Sequence, residues 1–353
     1  MPKYWLIIGI RVLKFEQGVQ RMKKVIALFL VFVALCTCAI LKTTISYSKA
    51  SVIIYTSMEQ YAVELLQHRL AEEFPDREIK IVTKSTGDIA TKVLEEGDKC
   101  EADVVFGLEY AYIDKLIANN RVYKLEDRYD MSVFEDDLVT DINKNYIVPT
   151  CRSGISIIVN NTVLQQKGLP KPTSYMDLIK PEYKKALSMP SPKSSGTGYA
   201  FYLAMVNLLG EKEGLKYFDS FAENIIQFTT SGSAPVNYLV SREAAVGIGM
   251  ISQAAEKITS GSDELEIVLT KEGACFGSYA SFIVNGKESP EAIDIMDFLY
   301  NTFTDECCGM YYPEAIIKGK NYTVANFPQN ITYCDMSNNT IERKEELLRS
   351  WKH

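Results

Sequence analysis

The chain predicts a two-lobed α/β architecture with a hinge and a cleft between the lobes, and three features carry the prediction. Short β-branched runs alternate with amphipathic helical stretches from Ser51 onward, the pattern of parallel strands with helices on both faces. Two long extended segments, 146–160 and 273–286, read as strands crossing from one lobe to the other. Clusters of Ser, Thr and Gly stand directly before two helical stretches, at 194–197 and 231–233. The expected form is two mixed, mainly parallel sheets flanked by helices, and 353 residues suit two lobes better than one core.

The first fifty residues read as a leader. Arg21, Lys23 and Lys24 precede the uncharged run "VIALFLVFVALCTCAIL", and "SKA" then offers small residues of the kind a signal peptidase reads. "MKKVIALFL", from Met22, is by itself a complete leader opening. A signal peptide and a retained membrane anchor both fit this segment, and export is expected with either.

"SVIIYTS", Ser51 to Ser57, reads as a buried strand, and Tyr61, Leu65, Leu66 and Leu70 then recur at helical spacing. "EIKIVTKSTGD" is a second strand ending in a loop at Thr86, Gly87 and Asp88; a helix and the strand "ADVVFGLEY" follow. Ligands of such sheets bind beyond the carboxyl ends of the strands, here Thr56–Ser57, Ser85–Thr86–Gly87 and Gly107–Leu108; Ser57, Met58, Thr86, Gly87 and Asp88 are the candidate ligand residues among and beside them. After the first crossing, a helix is expected from Thr173 or Ser174, then a short strand ahead of Pro190. The next helix opens on "SSGTGYAF", and "TTSGSAP" leads into another beginning near Pro235. The second crossing precedes the helix "SPEAIDIMDFLYNTF". One lobe is expected to combine residues 51–150 with 275–310, the other 151–274 with 311–353.

Charge narrows the function. The first fifty residues hold eight basic side chains and one acidic, so the remainder carries net −14 against −7 for the whole chain. Such an acidic body lacks the footprint of a nucleic-acid binder. Any anion site must then be local, built from N–H groups and hydroxyls. The first turn of a helix leaves N–H groups without partners at the positive end of its dipole. Ser194, Ser195, Gly196 and Thr197, and again Ser231, Gly232 and Ser233, are small enough to let an anion reach such donors. The same hydroxyls also suit plain helix capping. Arg152 offers a bidentate contact beside the first crossing. Glu59 and Asp88 offer a place for an ammonium group, or are solvated carboxylates.

No G-x-S-x-G, H-E-x-x-H or Walker A motif occurs, and with two histidines, one of them terminal, a serine triad would have to use His68. A carboxylate-dependent hydrolase and a sensor serving a membrane partner stay open as other classes. Cys100, Cys151, Cys275, Cys307, Cys308 and Cys334 include no C-x-x-C pair, so no zinc ribbon is expected; disulfides are compatible with export but their pairing is not readable.

In order and spacing, "VIIYTS", "SSGTGYAF", "SGSAP", "AAVGIGM" and "GSYASFIVNGKESPEAIDIMDFL" resemble the solute-binding proteins of ABC importers, in the group for ferric iron, 2-aminoethylphosphonate, thiamine or sugar phosphates. The resemblance covers nearly all of residues 51–340. It implies a type II periplasmic-binding-protein fold that closes on one ligand between its lobes, with a membrane permease and ATPase as partners. A small anionic solute is expected from the two Ser/Gly helix starts, and a monomer with no cofactor is the expected form. Iron binders of the group place paired tyrosines just after the strand matching "AVGIGM", where this chain has Ile251, Ser252 and Gln253. Tyr311 and Tyr312 are the remaining adjacent phenols for an iron alternative.

Overall fold

The computed structural model describes residues 51–353; the expected leader lies outside the described residues. Strand β1 (Ser51–Thr56), helix α1 (Gln60–Glu73), β2 (Glu78–Thr83), α2 (Thr86–Glu96), β3 (Val104–Glu109) and α3 (Tyr110–Ala118) alternate as the periodicity predicts. The first crossing is β4 (Val148–Asn160). Beyond it come α4 (Asn161–Lys167), β5 (Leu187–Pro190), α5 (Gly196–Leu209), α6 (Glu211–Asn224), β6 (Ile225–Thr229), α7 (Ala234–Val240), β7 (Val246–Met250), α8 (Ile251–Thr259) and β8 (Leu265–Val268). The second crossing is β9 (Cys275–Ile283), followed by α9 (Pro290–Phe298), α10 (Thr304–Met310) and, after a long loop, α11 (Ile341–Ser350). Among the described residues no helix is long and apolar enough to cross a membrane.

The strands run in the order β2-β1-β3-β9-β4-β7-β5-β6, with β8 added on β4. β1 is parallel to β2 and β3, and β5 is parallel to β6 and β7. Antiparallel β9 joins β3 to β4, so the two parallel sets share one continuous ladder. Their cores are separate. One gathers Ile155 and Ile157 of β4, the aromatic face of α5 and α6, and Leu347 and Trp351 from the C-terminal end. The others gather β1, β3 and β9 against α1, α2, α9 and α10. Helix α5 is buried on every side through Val206, which explains why "GYAFYLAMV" shows no polar face.

Two local expectations are corrected. Thr86, Gly87 and Asp88 do not form a loop but the first turn of α2: Ser85 Oγ accepts the Asp88 N–H at 3.2 Å, and Ile89 and Val93 bury the helix. The helix expected at Thr173 or Ser174 is a short 3-10 turn, Tyr175–Ile179, opened by a Ser174–Asp177 capping box and cut off ahead of Pro181. The six described cysteines are free thiols.

Candidate functional site

The carboxyl ends of β1, β2, β5 and β6 all lead into helix starts that border one cavity of about 330 Å³. From β1, Ser57, Met58, Glu59 and Gln60 enter α1; from β2, Thr83, Lys84, Ser85, Thr86 and Asp88 enter α2. From β5, Ser194, Ser195 and Thr197 enter α5; from β6, Thr230, Ser231, Gly232 and Ser233 enter α7. Tyr279, on β9, closes the floor. Residues from both parallel sets thus share one space at the strand ends where α/β sheets place ligands.

The two serine-rich starts meet closely. A Cβ built on Gly232 would lie 2.6 Å from Thr197 Oγ1 and 3.1 Å from Ser195 Oγ, so only glycine lets these turns approach as they do. Ser194 Oγ donates to the Thr230 carbonyl at 3.0 Å, and the Ser231 and Ser233 hydroxyls pair at 2.8 Å. Across the cleft, the Gly87 N–H donates to the Ser194 carbonyl at 3.1 Å, so α2 and the start of α5 are joined along one rim. Capping and lining coexist at Ser195: its Oγ accepts the Gly198 N–H at 3.4 Å while the residue borders the cavity. Among the described residues no acceptor meets the N–H groups of Thr86, Gly196, Thr197 or Gly232. Unpaired donors at several helix starts make a positive local potential without basic side chains. Lys84 is the one base among the lining residues.

Glu59 sits among these donors. Burial pushes its carboxyl above the ordinary carboxylate range, and the Tyr312 hydroxyl that donates to it offsets part of that rise. Between the ordinary and the raised value the carboxyl is protonated here and would be ionised in water. An anion is then favoured while Glu59 is neutral, and its affinity falls as pH rises through the raised value. Titration calorimetry with a phosphate ester as a function of pH should show that decline, and Glu59→Gln should flatten it.

The structure brings most of the expected residues together. Ser57, Met58, Thr86, Asp88, Ser194, Ser195, Thr197, Ser231, Gly232 and Ser233 line the cavity. Gly87 stands at its rim, and Gly196 lies behind it, where a Cβ would come within 3.3 Å of Glu109 Cβ. Arg152 does not belong to this cavity: its guanidinium pairs with Asp137 and lies over the Phe276 ring. Neither iron-alternative tyrosine borders the cavity: Tyr312 is fully buried on Glu59, and Tyr311 packs on Tyr61 at 4.6 Å between ring centroids. Ser85, named at the end of β2, lines the cavity too, whereas Lys84 was missed; the Ser85 cap signal three residues ahead of Asp88 marks the helix start beside it.

Comparison with known proteins agrees with this architecture. An uncharacterized protein of Haemophilus influenzae is 25% identical over 228 residues, 64% of this chain; the chain spans 65% of that relative's length. The periplasmic binding protein AfuA from Actinobacillus pleuropneumoniae, solved with exogenous fructose-6-phosphate, superposes with a TM-score of 0.76 at 20% identity, over 86% of this chain and 98% of its own. A periplasmic thiamin binding protein gives 0.71 at 16% identity, over 87% and 95%. These likenesses establish the two-lobed periplasmic-binding-protein fold. With a family match running over residues 101–315, the chain belongs to the bacterial extracellular solute-binding proteins.

Proposed function

We propose that the protein captures a small phosphorylated or phosphonate solute in the cleft and delivers it to a membrane permease and ATPase of the ABC type. In this reading residues 51–150 with 275–310 form one lobe and 151–274 with 311–353 the other, and the lobes close over the solute. The observation that carries it is the convergence of four helix starts and their hydroxyls on one cavity of about 330 Å³. Such a site grips oxygen anions through N–H and O–H donors and tolerates an acidic protein around it. Asp88 on the α2 side favours a solute that carries an ammonium or hydroxyl donor away from its anionic end, while a neutral Glu59 leaves the anionic end unopposed. The sugar phosphate held by AfuA fits the same chemistry. Closure follows from contacts made to both lobes, since only differential affinity shifts an open–closed equilibrium.

Calorimetric titration with 2-aminoethylphosphonate, fructose-6-phosphate, thiamine and ferric citrate tests this. Binding of a phosphonate or phosphate ester is expected. A visible phenolate–iron band on adding Fe(III), with indifference to the phosphorus compounds, would overturn it. Gly232→Val pushes a branched side chain against Thr197 Oγ1 and Ser195 Oγ. It should weaken the bound solute by about tenfold or more, the worth of one charge-assisted hydrogen bond. Overpacking at this contact should also cost the free protein about 1–3 kcal/mol of stability, so the binding loss is read at a temperature where thermal melts show the variant folded.

A further inference from the structure

Arg152, expected in the cleft, borders a second cavity of about 270 Å³. Along the β4–β9 pair, Arg152 stands opposite Ser278 and Gly154 opposite Phe276, whereas Cys151 stands opposite Tyr279. Side chains alternate along a strand, so Arg152 and Phe276 occupy the face away from Tyr279 and the solute cleft. The facing wall is the loop between α10 and α11, with Pro313, Glu314, Tyr322, Phe327 and Tyr333.

Two groups here are chemically incomplete. Glu314 is 7% exposed, and its Oε1 accepts from the Gly154 N–H at 2.7 Å and the Tyr333 hydroxyl at 3.2 Å. Its Oε2 has no partner among the described residues. One terminal nitrogen of Arg152 donates to Asp137, its guanidinium lies 5.1 Å from the Phe276 ring centroid, and its buried Nε has no partner. A buried polar atom without a partner is costly, and two of opposite character beside one cavity leave room for an occupant that supplies both partners. Burial accordingly raises the Glu314 carboxyl to about 7. A donor is missing at Glu314 and an acceptor at Arg152. The lining is mixed, with Pro313, Phe327 and Pro328 beside Gln329 and Asn330, so it offers both an apolar contact and further polar partners to a small occupant.

We propose that this second cavity binds a small zwitterion of the free α-amino acid class, its carboxylate on Arg152 and its ammonium on Glu314. The occupant bridges the crossing strands and the α10–α11 loop, on the opposite side of the hinge ribbon from the transported solute. Both sites can be filled at once.

Isothermal titration of the purified protein with glycine, L-alanine and L-leucine, beside acetate and methylamine as half-ligands, tests the assignment. The amino acids should bind and each half-ligand should bind about tenfold more weakly or worse. Glu314→Gln and Arg152→Met should each weaken an amino acid by about tenfold or more, as loss of a charged hydrogen bond does. Arg152→Lys, which keeps the charge and withdraws the fork, carries the test if the methionine variant does not fold. Absence of amino-acid binding at millimolar concentration overturns the proposal. So does binding that survives both substitutions, because the amino acid then sits elsewhere.

Discussion

Lys344→Met is expected to lower the free energy of unfolding by about 3–5 kcal/mol, the cost of leaving a buried charge without its partner. Lys344 and Glu109 pair at 2.8 Å with side chains 4% and 1% exposed. Burial pulls the Lys344 ammonium below its ordinary range, and the carboxylate beside it opposes that pull. The ammonium also lies 3.4 Å from the Tyr112 ring centroid and 4.1 Å from that of Tyr199. Glu109 accepts further from Asn339 Nδ2 at 2.9 Å. The pin therefore ties α11 to the end of β3, to α3 and to α5, whose start borders the cleft. Urea melts of Lys344→Met and of Glu109→Gln/Lys344→Met measure the effect. The double variant, which removes both charges, should recover much of the loss. A single variant within about 0.5 kcal/mol of the parent would refute the buried-pair account.

Gly198→Ala should have the next largest effect. A Cβ there would stand 2.3 Å from the Pro190 carbonyl oxygen and 2.8 Å from its carbon, both rigid backbone atoms at the end of β5. The first turn of α5 has to retreat to make room. Overpacking of this kind costs about 1–3 kcal/mol, and the retreat withdraws Ser195 and Thr197 from the cleft. Denaturant melts should show the loss of stability, and calorimetry a weaker solute. Gly309→Ala in α10 is the control: its Cβ meets nothing nearer than 3.5 Å, so stability should hold or rise slightly. Equal behaviour of the two variants would contradict the close α5–β5 contact.

The strand–helix alternation and the cleft were legible because their signals are local. β-branched runs mark β1, β3 and β7, and Ser/Gly clusters mark the starts of α5 and α7. The destination of Arg152 was not legible, since its face depends on register with β9, a partner more than a hundred residues away. The start of α2 was read as a loop because Thr86 and Gly87 are poor helix formers; the Ser85 cap and the burial of Ile89 and Val93 overrode that preference. Pairing of Glu109 with Lys344 was invisible for the same long-range reason. Nothing in "IERKEELLRS" distinguishes the buried lysine from its solvated neighbours.

The halves share one hydrogen-bonded ribbon through β3, β9 and β4. In the proposed closure, twisting two long strands would spread the motion over many soft dihedral angles and keep each backbone bond of that ribbon. Contacts outside the ribbon, such as the Gly87–Ser194 bond across the rim, would instead break and reform at each visit of a guest. The escape rate of the guest would then be governed by that rim, while the ribbon keeps the two halves in registration.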